Sequence, residues 1–187
     1  MWSKICKFFF SKVLGWHGDG GPIPEKRAVV LGVPHTSAWD FAVSYLFYTQ
    51  MGLKCPHIMI AKEFFKPPLG WILKACRAIP VDRSSPVALV KSIIQTMESD
   101  KEDTFIIAIA PEGTRKAIKK WKTGYHFIAR QVGCPVYMGY FDWGTKHIGC
   151  GEKIELTDNA RADTDRIQAH YEQMHLTGRH PEGYVTH

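Results

Sequence analysis

The sequence predicts an α/β fold: a single layered domain with a mostly parallel central sheet flanked by helices, a terminal β-hairpin and an N-terminal amphipathic helix. Two observations carry this prediction. Apolar runs of strand length alternate along the chain with segments of helical length, the order that builds a parallel sheet with helices on its faces. Two of those runs, Ala28 to Val33 and Thr104 to Ala110, stop at a proline that opens into polar residues. Continuous runs of this kind read as buried strands, and proline keeps them from continuing as central ones.

The first expected element is a helix over residues 2–16. Wound at about 100° per residue, Trp2, Ile5, Cys6, Phe9, Val13 and Trp16 converge on one side, with Ser3, Lys4, Lys7 and Ser11 opposite. Phe8, Phe10 and Leu14 widen the apolar side, and Lys12 sits at its margin. Aromatics on one face with lysines on the other is the pattern of a helix lying in a membrane interface. Residues 1–17 are therefore read as an amphipathic membrane-interface helix, with Trp2, Ile5, Phe9, Val13 and Trp16 as its membrane contacts. The alternatives are a helix packed on its own domain or a short signal segment. The signal reading suffers from lysines within the apolar run and from the want of a clear cleavage site.

Residues 18–187 then form one domain, because a chain of 187 residues with 45% hydrophobic content buries a sizeable core. A strand near 27–33 is followed by a helix over 37–51, whose start has the S-x-x-D form in Ser37 and Asp40. Strands near 57–61 and 79–81 flank a helix near 68–76, and a helix near 86–99 leads to the strand near 104–110. A helix near 123–132 and a strand near 135–141 follow. Two short runs, 145–149 and 152–156, pair as the terminal hairpin, ahead of a helix near 163–175. The tail, 176–187, has glycine and proline and no period, so it carries no assignment.

Chemistry concentrates where the two apolar runs end. After the first come Pro34, His35, Thr36, Ser37, Ala38, Trp39 and Asp40. His35 would sit in the turn between strand and helix, where a carboxylate within reach fixes the imidazole tautomer and stabilises the imidazolium. That makes the pair a candidate general base. Two residues five apart lie about 140° apart on a helix, so Asp40 is equally read as a capping residue beside an ordinary turn histidine. After the second run come Pro111, Glu112, Gly113, Thr114 and Arg115. Gly113 permits a tight turn, Thr114 offers a hydroxyl, and Arg115 offers a planar fork suited to phosphate or carboxylate. A solvated surface turn is the plainer alternative. A third segment, Arg77 to Pro86, ends the short apolar stretch Ile79-Pro80-Val81 with Asp82 and Arg83, which would otherwise be a surface ion pair.

In this order and spacing, the three segments resemble the glycerolipid acyltransferase family, the group of lysophosphatidic-acid and glycerol-3-phosphate acyltransferases. Its first motif, histidine–four residues–aspartate, is matched by His35 and Asp40. Its apolar segment ending in arginine is matched by Ile79 to Arg83, and its proline-glutamate-glycine-threonine-arginine by Pro111 to Arg115. A proline heading a hydrophobic strand is matched by Cys134 to Met138. The resemblance spans about residues 27–156 and marks 18–187 as an acyltransferase domain.

The resemblance implies transfer of a fatty acyl group from acyl-CoA or acyl carrier protein to a lysolipid hydroxyl, with 1-acyl-glycerol-3-phosphate as the default acceptor. His35 would act as general base, oriented by Asp40, with direct attack and no nucleophilic serine; the chain has no G-x-S-x-G elbow. Arg83, Glu112, Gly113, Thr114 and Arg115 would bind the acceptor. Two positions depart from the family pattern: Pro34 stands where asparagine is common, and Arg77 where glycine is common. A cation there would narrow the acceptor pocket or add a phosphate contact.

Five scattered cysteines without C-x-x-C spacing read as free thiols in a reducing compartment. The nine histidines form no metal-binding array, so no metal and no cofactor beyond the acyl donor is expected. No stretch reaches the roughly 18–20 apolar residues of a membrane span. A net charge of +6, and the aromatic–lysine segment Ala61 to Lys74, favour an anionic membrane surface. The basic run Arg115 to Lys122 would serve the same surface or the phosphates of CoA; with no recognition motif beside it, no nucleic-acid partner is expected. The expected location is peripheral, on the cytoplasmic face of a membrane, with anionic lipids, the lysolipid acceptor and acyl carrier protein as the partners in view.

Overall fold

A computed structural model describes residues 1–82 and 84–184. The chain runs α1 (Trp2–Lys7), a π-helical turn (Phe8–Val13), β1 (His17–Asp19), β2 (Arg27–Val33), α2 (Trp39–Gln50) and β3 (His57–Ala61). After a short 3-10 turn come α3 (Leu69–Ala75), β4 (Ala78–Val81), α4 (Pro86–Ser99), β5 (Phe105–Ile109) and α5 (Gly124–Val132). β6 (Val136–Asp142), β7 (His147–Ile154), α6 (Ala160–Gln173) and a final 3-10 turn (Pro181–Gly183) complete it. The seven strands form one sheet in the order β1-β7-β6-β2-β5-β3-β4. Every pairing is parallel except β6 with β7.

β2 lies between β5 and β6 and is parallel to both, with Leu31 opposite Ile109 and Val29 opposite Val136. Both faces of such a strand meet packed side chains, which is why its sequence is apolar without alternation. On one face Leu31 and Val33 join Ile93 and Met97 of α4, Tyr125 and Ile128 of α5, and Ile167 and Tyr171 of α6. On the other, Val43 and Phe47 of α2 pack with Phe10, Trp16, Phe141 and Ile148. Parallel order also puts the ends of β2 and β5 at one edge of the sheet, so the two proline-led loops emerge side by side.

The terminal hairpin exists, but not between the runs 145–149 and 152–156. β7 is one eight-residue strand that pairs along β6, and a register shift between Tyr137 and Gly139 absorbs the irregularity. Gly149-Cys150-Gly151 resembles a turn in sequence, yet Gly149 and Cys150 stay in the ladder opposite Tyr140 and Gly139.

The N-terminal segment is also not a single uniform helix. The Leu14 N–H bonds the Phe9 carbonyl, and the Trp16 N–H bonds the Phe10 carbonyl, in turns wider than an α-helix. Cys6 and Phe10 are buried, and the Ser3 hydroxyl donates to the Gln50 carbonyl at the end of α2. Trp2, Ile5, Phe8, Phe9 and Val13 remain 40–58% exposed. Trp16, expected among the membrane contacts, is instead buried edge-on against Trp143 at 4.9 Å. The wider turn breaks the 100° period and carries Trp16 to the domain side.

Arg77 is a second correction. It precedes β4, at the edge of the sheet opposite the two loops, so it neither narrows an acceptor pocket nor meets a phosphate there. Its backbone is left-handed (φ +64°), the conformation glycine favours. Its Nη1 donates to both Glu102 carboxylate oxygens, at 2.8 and 3.1 Å, and its Nη2 lies 2.6 Å from His57 Nε2. Arg77, with Lys54 beside it, holds the Glu102 carboxyl down at about 2. Arg77→Ala keeps the strained backbone and loses the bonds to Glu102, so it should cost about 1–2 kcal/mol of stability. Chemical denaturation checks the loss, and an altered acceptor KM in the same variant would return Arg77 to the site.

Candidate active site

The β2–α2 loop is organised around one carboxylate. Asp40, in the first turn of α2 and 2% exposed, accepts at Oδ2 from His35 Nδ1 (3.0 Å), Thr36 N–H (3.1 Å) and Ser37 N–H (3.0 Å). Its Oδ1 accepts from Trp143 Nε1–H at 2.8 Å. The Ser37 hydroxyl in turn accepts from the Trp39 N–H. Asp40 therefore does both things its spacing allowed. It satisfies N–H groups at the mouth of α2, and it holds the imidazole. The 140° separation does not matter, because His35 lies in the loop ahead of the helix.

An Nδ1–H donated to Asp40 leaves the Nε2 lone pair as the basic position of a neutral imidazole. The His35 side chain keeps 34% of its surface exposed. This pair has the form needed to take a proton from a bound hydroxyl and to stabilise the resulting cation.

The β5–α5 loop approaches from the neighbouring strand. Glu112, 3% exposed, accepts the His35 N–H at Oε1 (2.9 Å), while Oε2 has no partner among the described residues. Burial raises its carboxyl to about 7, opposed by the hydrogen bond from His35. Gly113 takes a left-handed backbone (φ +65°), and a Cβ there would lie 2.8 Å from the Lys122 side chain. Lys122 N–H closes the loop onto the Pro111 carbonyl at 2.8 Å. Thr114 Oγ1 accepts from the Lys116 N–H, and Arg115 is exposed with no ion pair among the described residues.

The structure thus brings Asp40 to the His35 imidazole and Glu112 to the His35 backbone N–H, with Gly113, Thr114 and Arg115 on the same loop as Glu112. Arg83 lies outside the described residues. Trp143 was not foreseen: it comes from the β6–β7 turn, and no local pattern ties an indole there to Asp40. The C-terminal tail was not foreseen either; His180 N–H donates to Thr36 Oγ1 at 3.2 Å. A second histidine–aspartate pair, His126 and Asp163 at 3.0 Å, is closed off, with both side chains no more than 3% exposed. It ties α5 to α6.

An open parallel sheet carrying a histidine–aspartate pair and a glutamate-glycine-threonine-arginine loop on adjacent strand ends defines a class of protein. The acyltransferase family model matches residues 19–138, and the chain belongs to that family. Among characterised relatives, it is 27% identical over 117 residues to a 1-acyl-sn-glycerol-3-phosphate acyltransferase of Pseudomonas aeruginosa. That match takes in 61% of this chain and only 44% of the relative's length. The fold is similar to the crystal structure of the 1-acyl-sn-glycerophosphate (LPA) acyltransferase PlsC from Thermotoga maritima, with a TM-score of 0.61 at 15% identity. The superposition covers 92% of this chain and 78% of that one.

Glu112→Gln keeps an oxygen for the His35 N–H and removes the titration. Folded Glu112 holds its proton up to about pH 7, against 4.5 for an ordinary glutamate, so the folded state binds more protons between those values. Its contribution to stability is therefore present at low pH and lost as pH rises through that window. The parent's Tm should fall relative to that of Glu112→Gln between about pH 4.5 and 7. A Tm difference independent of pH would show that Glu112 does not titrate there.

Proposed function

We propose that the protein is a glycerolipid O-acyltransferase acting at a membrane surface, with His35 as general base. The observation that carries this reading is the His35 Nδ1–Asp40 contact at 3.0 Å, inside a carboxylate site with four N–H donors. His35 Nε2 takes the proton of the acceptor hydroxyl as its oxygen attacks the thioester carbonyl. The tetrahedral oxyanion then collapses, the C–S bond breaks, and the thiolate leaves, receiving the proton from the imidazolium. The donor is acyl-CoA or acyl carrier protein. The acceptor is a lysolipid, with 1-acyl-glycerol-3-phosphate favoured by the name of the Pseudomonas relative. Arg115, exposed and without an ion pair among the described residues, would meet a headgroup phosphate, a reading supported by its place on the same loop as Glu112, Gly113 and Thr114.

Membrane contact is supported by the exposed stripe Trp2, Ile5, Phe8, Phe9 and Val13. A second exposed group, Phe64, Leu69, Trp71 and Ile72, sits among Lys62, Lys66 and Lys74. Among the described residues no helix is long and apolar enough to cross a membrane. A net charge of +6 favours an anionic leaflet, and five free thiols suit the reducing, cytoplasmic side.

The reaction is tested by thiol release from palmitoyl-CoA with and without lysolipids. Release should require a lysolipid and fall at least 100-fold in His35→Ala, the scale of general base catalysis, with the circular dichroism spectrum retained. Turnover near the parent rate in that variant would reject the base. Release without acceptor would indicate a hydrolase, and no release from palmitoyl-CoA or, in a repeat, from palmitoyl-acyl carrier protein would indicate a lipid-binding protein without turnover. For the membrane, Trp2→Ser with Phe9→Ser should weaken sedimentation with anionic vesicles by about tenfold, as the loss of roughly 1–3 kcal/mol of apolar contact implies. Undiminished binding would remove this stripe from the interface.

A further inference from the structure

The segment Leu176 to Tyr184 follows α6 and lies beyond the residues the family model matches. It is fastened across both catalytic loops. Thr177 N–H donates to Asp142 Oδ1 (3.1 Å), and the Thr177 carbonyl accepts from Trp143 N–H (2.8 Å). His180 N–H bonds Thr36 Oγ1, one residue from His35. The approach is close enough to require glycine: a Cβ on Gly178 would lie 2.7 Å from Thr36 Cγ2, and one on Gly183 2.7 Å from the Arg115 carbonyl oxygen.

Between those two glycines stands Arg179. Its guanidinium carbon is 5.1 Å from the Trp39 ring centre and 4.8 Å from that of Trp143, so the charge is held between two indoles. Trp39 directly precedes Asp40, and Trp143 is the indole that donates to Asp40. Attraction of the cation to two indole rings uses no oxygen acceptor and leaves the guanidinium N–H groups available. Among the described residues no oxygen bonds those groups. Two carboxylates tied to Trp143 are already engaged: Asp40 by its four donors, and Asp142, the residue before Trp143, by the N–H groups of Gly144 and Thr177 and the Thr145 hydroxyl.

We propose that Arg179 is a phosphate-binding residue of the active site, its fork presented beside His35 by the tail and the two tryptophans. The inference rests on the acyl-transfer reading for the identity of its ligands. The acceptor carries a headgroup phosphate, and either donor carries phosphate on its pantetheine arm, so the shared chemistry is a phosphate oxygen bound by a planar cation.

Titration calorimetry on the full chain tests this without turnover. The probes are 1-hexanoyl-glycerol-3-phosphate below its micelle concentration and, separately, CoA, each against the parent and Arg179→Gln. The variant should bind one of them about 10–100-fold more weakly, the range for lost charge-assisted hydrogen bonds. Loss with the lysolipid assigns the acceptor phosphate, and loss with CoA assigns the donor. Arg179→Lys keeps a charge but not the planar fork; it should weaken the same probe and serves if the glutamine variant loses its fold. Parent affinity for both probes in these variants, with only Tm reduced, would make Arg179 a brace for Trp143 and overturn the proposal. So would failure of the parent to bind either probe. An inactive parent that binds phosphate through Arg179 would count against the reaction and not against this site.

Discussion

The carboxylate of Asp40 receives N–H donors from His35, Thr36, Ser37 and Trp143, and much of the site's geometry follows from that convergence. Two donors are backbone groups of the loop leaving β2, so the carboxylate fixes the path of the chain into α2. One is the imidazole, whose tautomer and plane it sets. The last is an indole from the β6–β7 turn, which ties the hairpin to the central strand's exit. A buried carboxylate is tolerated only where such donors replace water. Removing any one of them would leave Asp40 poorly solvated as well as the loop poorly defined.

Glu112 sits against the same loop under opposite conditions. It is as buried as Asp40, but among the described residues one hydrogen bond reaches Oε1 and none reaches Oε2, so burial dominates and its carboxyl is raised to about 7. Two carboxyl groups with different numbers of donors thus flank one histidine. The parallel pairing of β2 with β5 makes this possible, because strands that run together finish together. An antiparallel neighbour would have carried Glu112 to the far edge of the sheet.

The parts of this arrangement legible in sequence are those with a local cause. β2 and β5 announce themselves because they are buried on both faces, and the helix starting beside Asp40 is marked by Ser37. β1 gives no such signal, since all three of its residues are exposed, and β7 is masked by glycines and an exposed Glu152-Lys153. Trp143 and Arg179 escape for a different reason. They meet Asp40 and Trp39 from more than a hundred residues away, and nothing in their immediate neighbours marks them. Arg77 shows the converse failure. Its departure from glycine was visible, but motif order does not say which end of a strand a residue occupies, and Arg77 precedes β4.

The N-terminal helix joins these themes. Six residues of α-helix and one π-helical turn are too short to persist alone in water. Cys6, Phe10 and the Ser3 bond to Gln50 hold the segment on α2, so packing on its own domain is part of the answer. That contact uses one face. The stripe from Trp2 to Val13 lies on another and leaves its side chains roughly half exposed. Apolar surface of that extent on a small domain is disfavoured unless something covers it. Lys4, Lys7 and Lys12 are exposed in the same segment, so a covering surface must accept indole and phenyl rings beside ammonium groups. The anionic bilayer interface proposed above would meet both requirements.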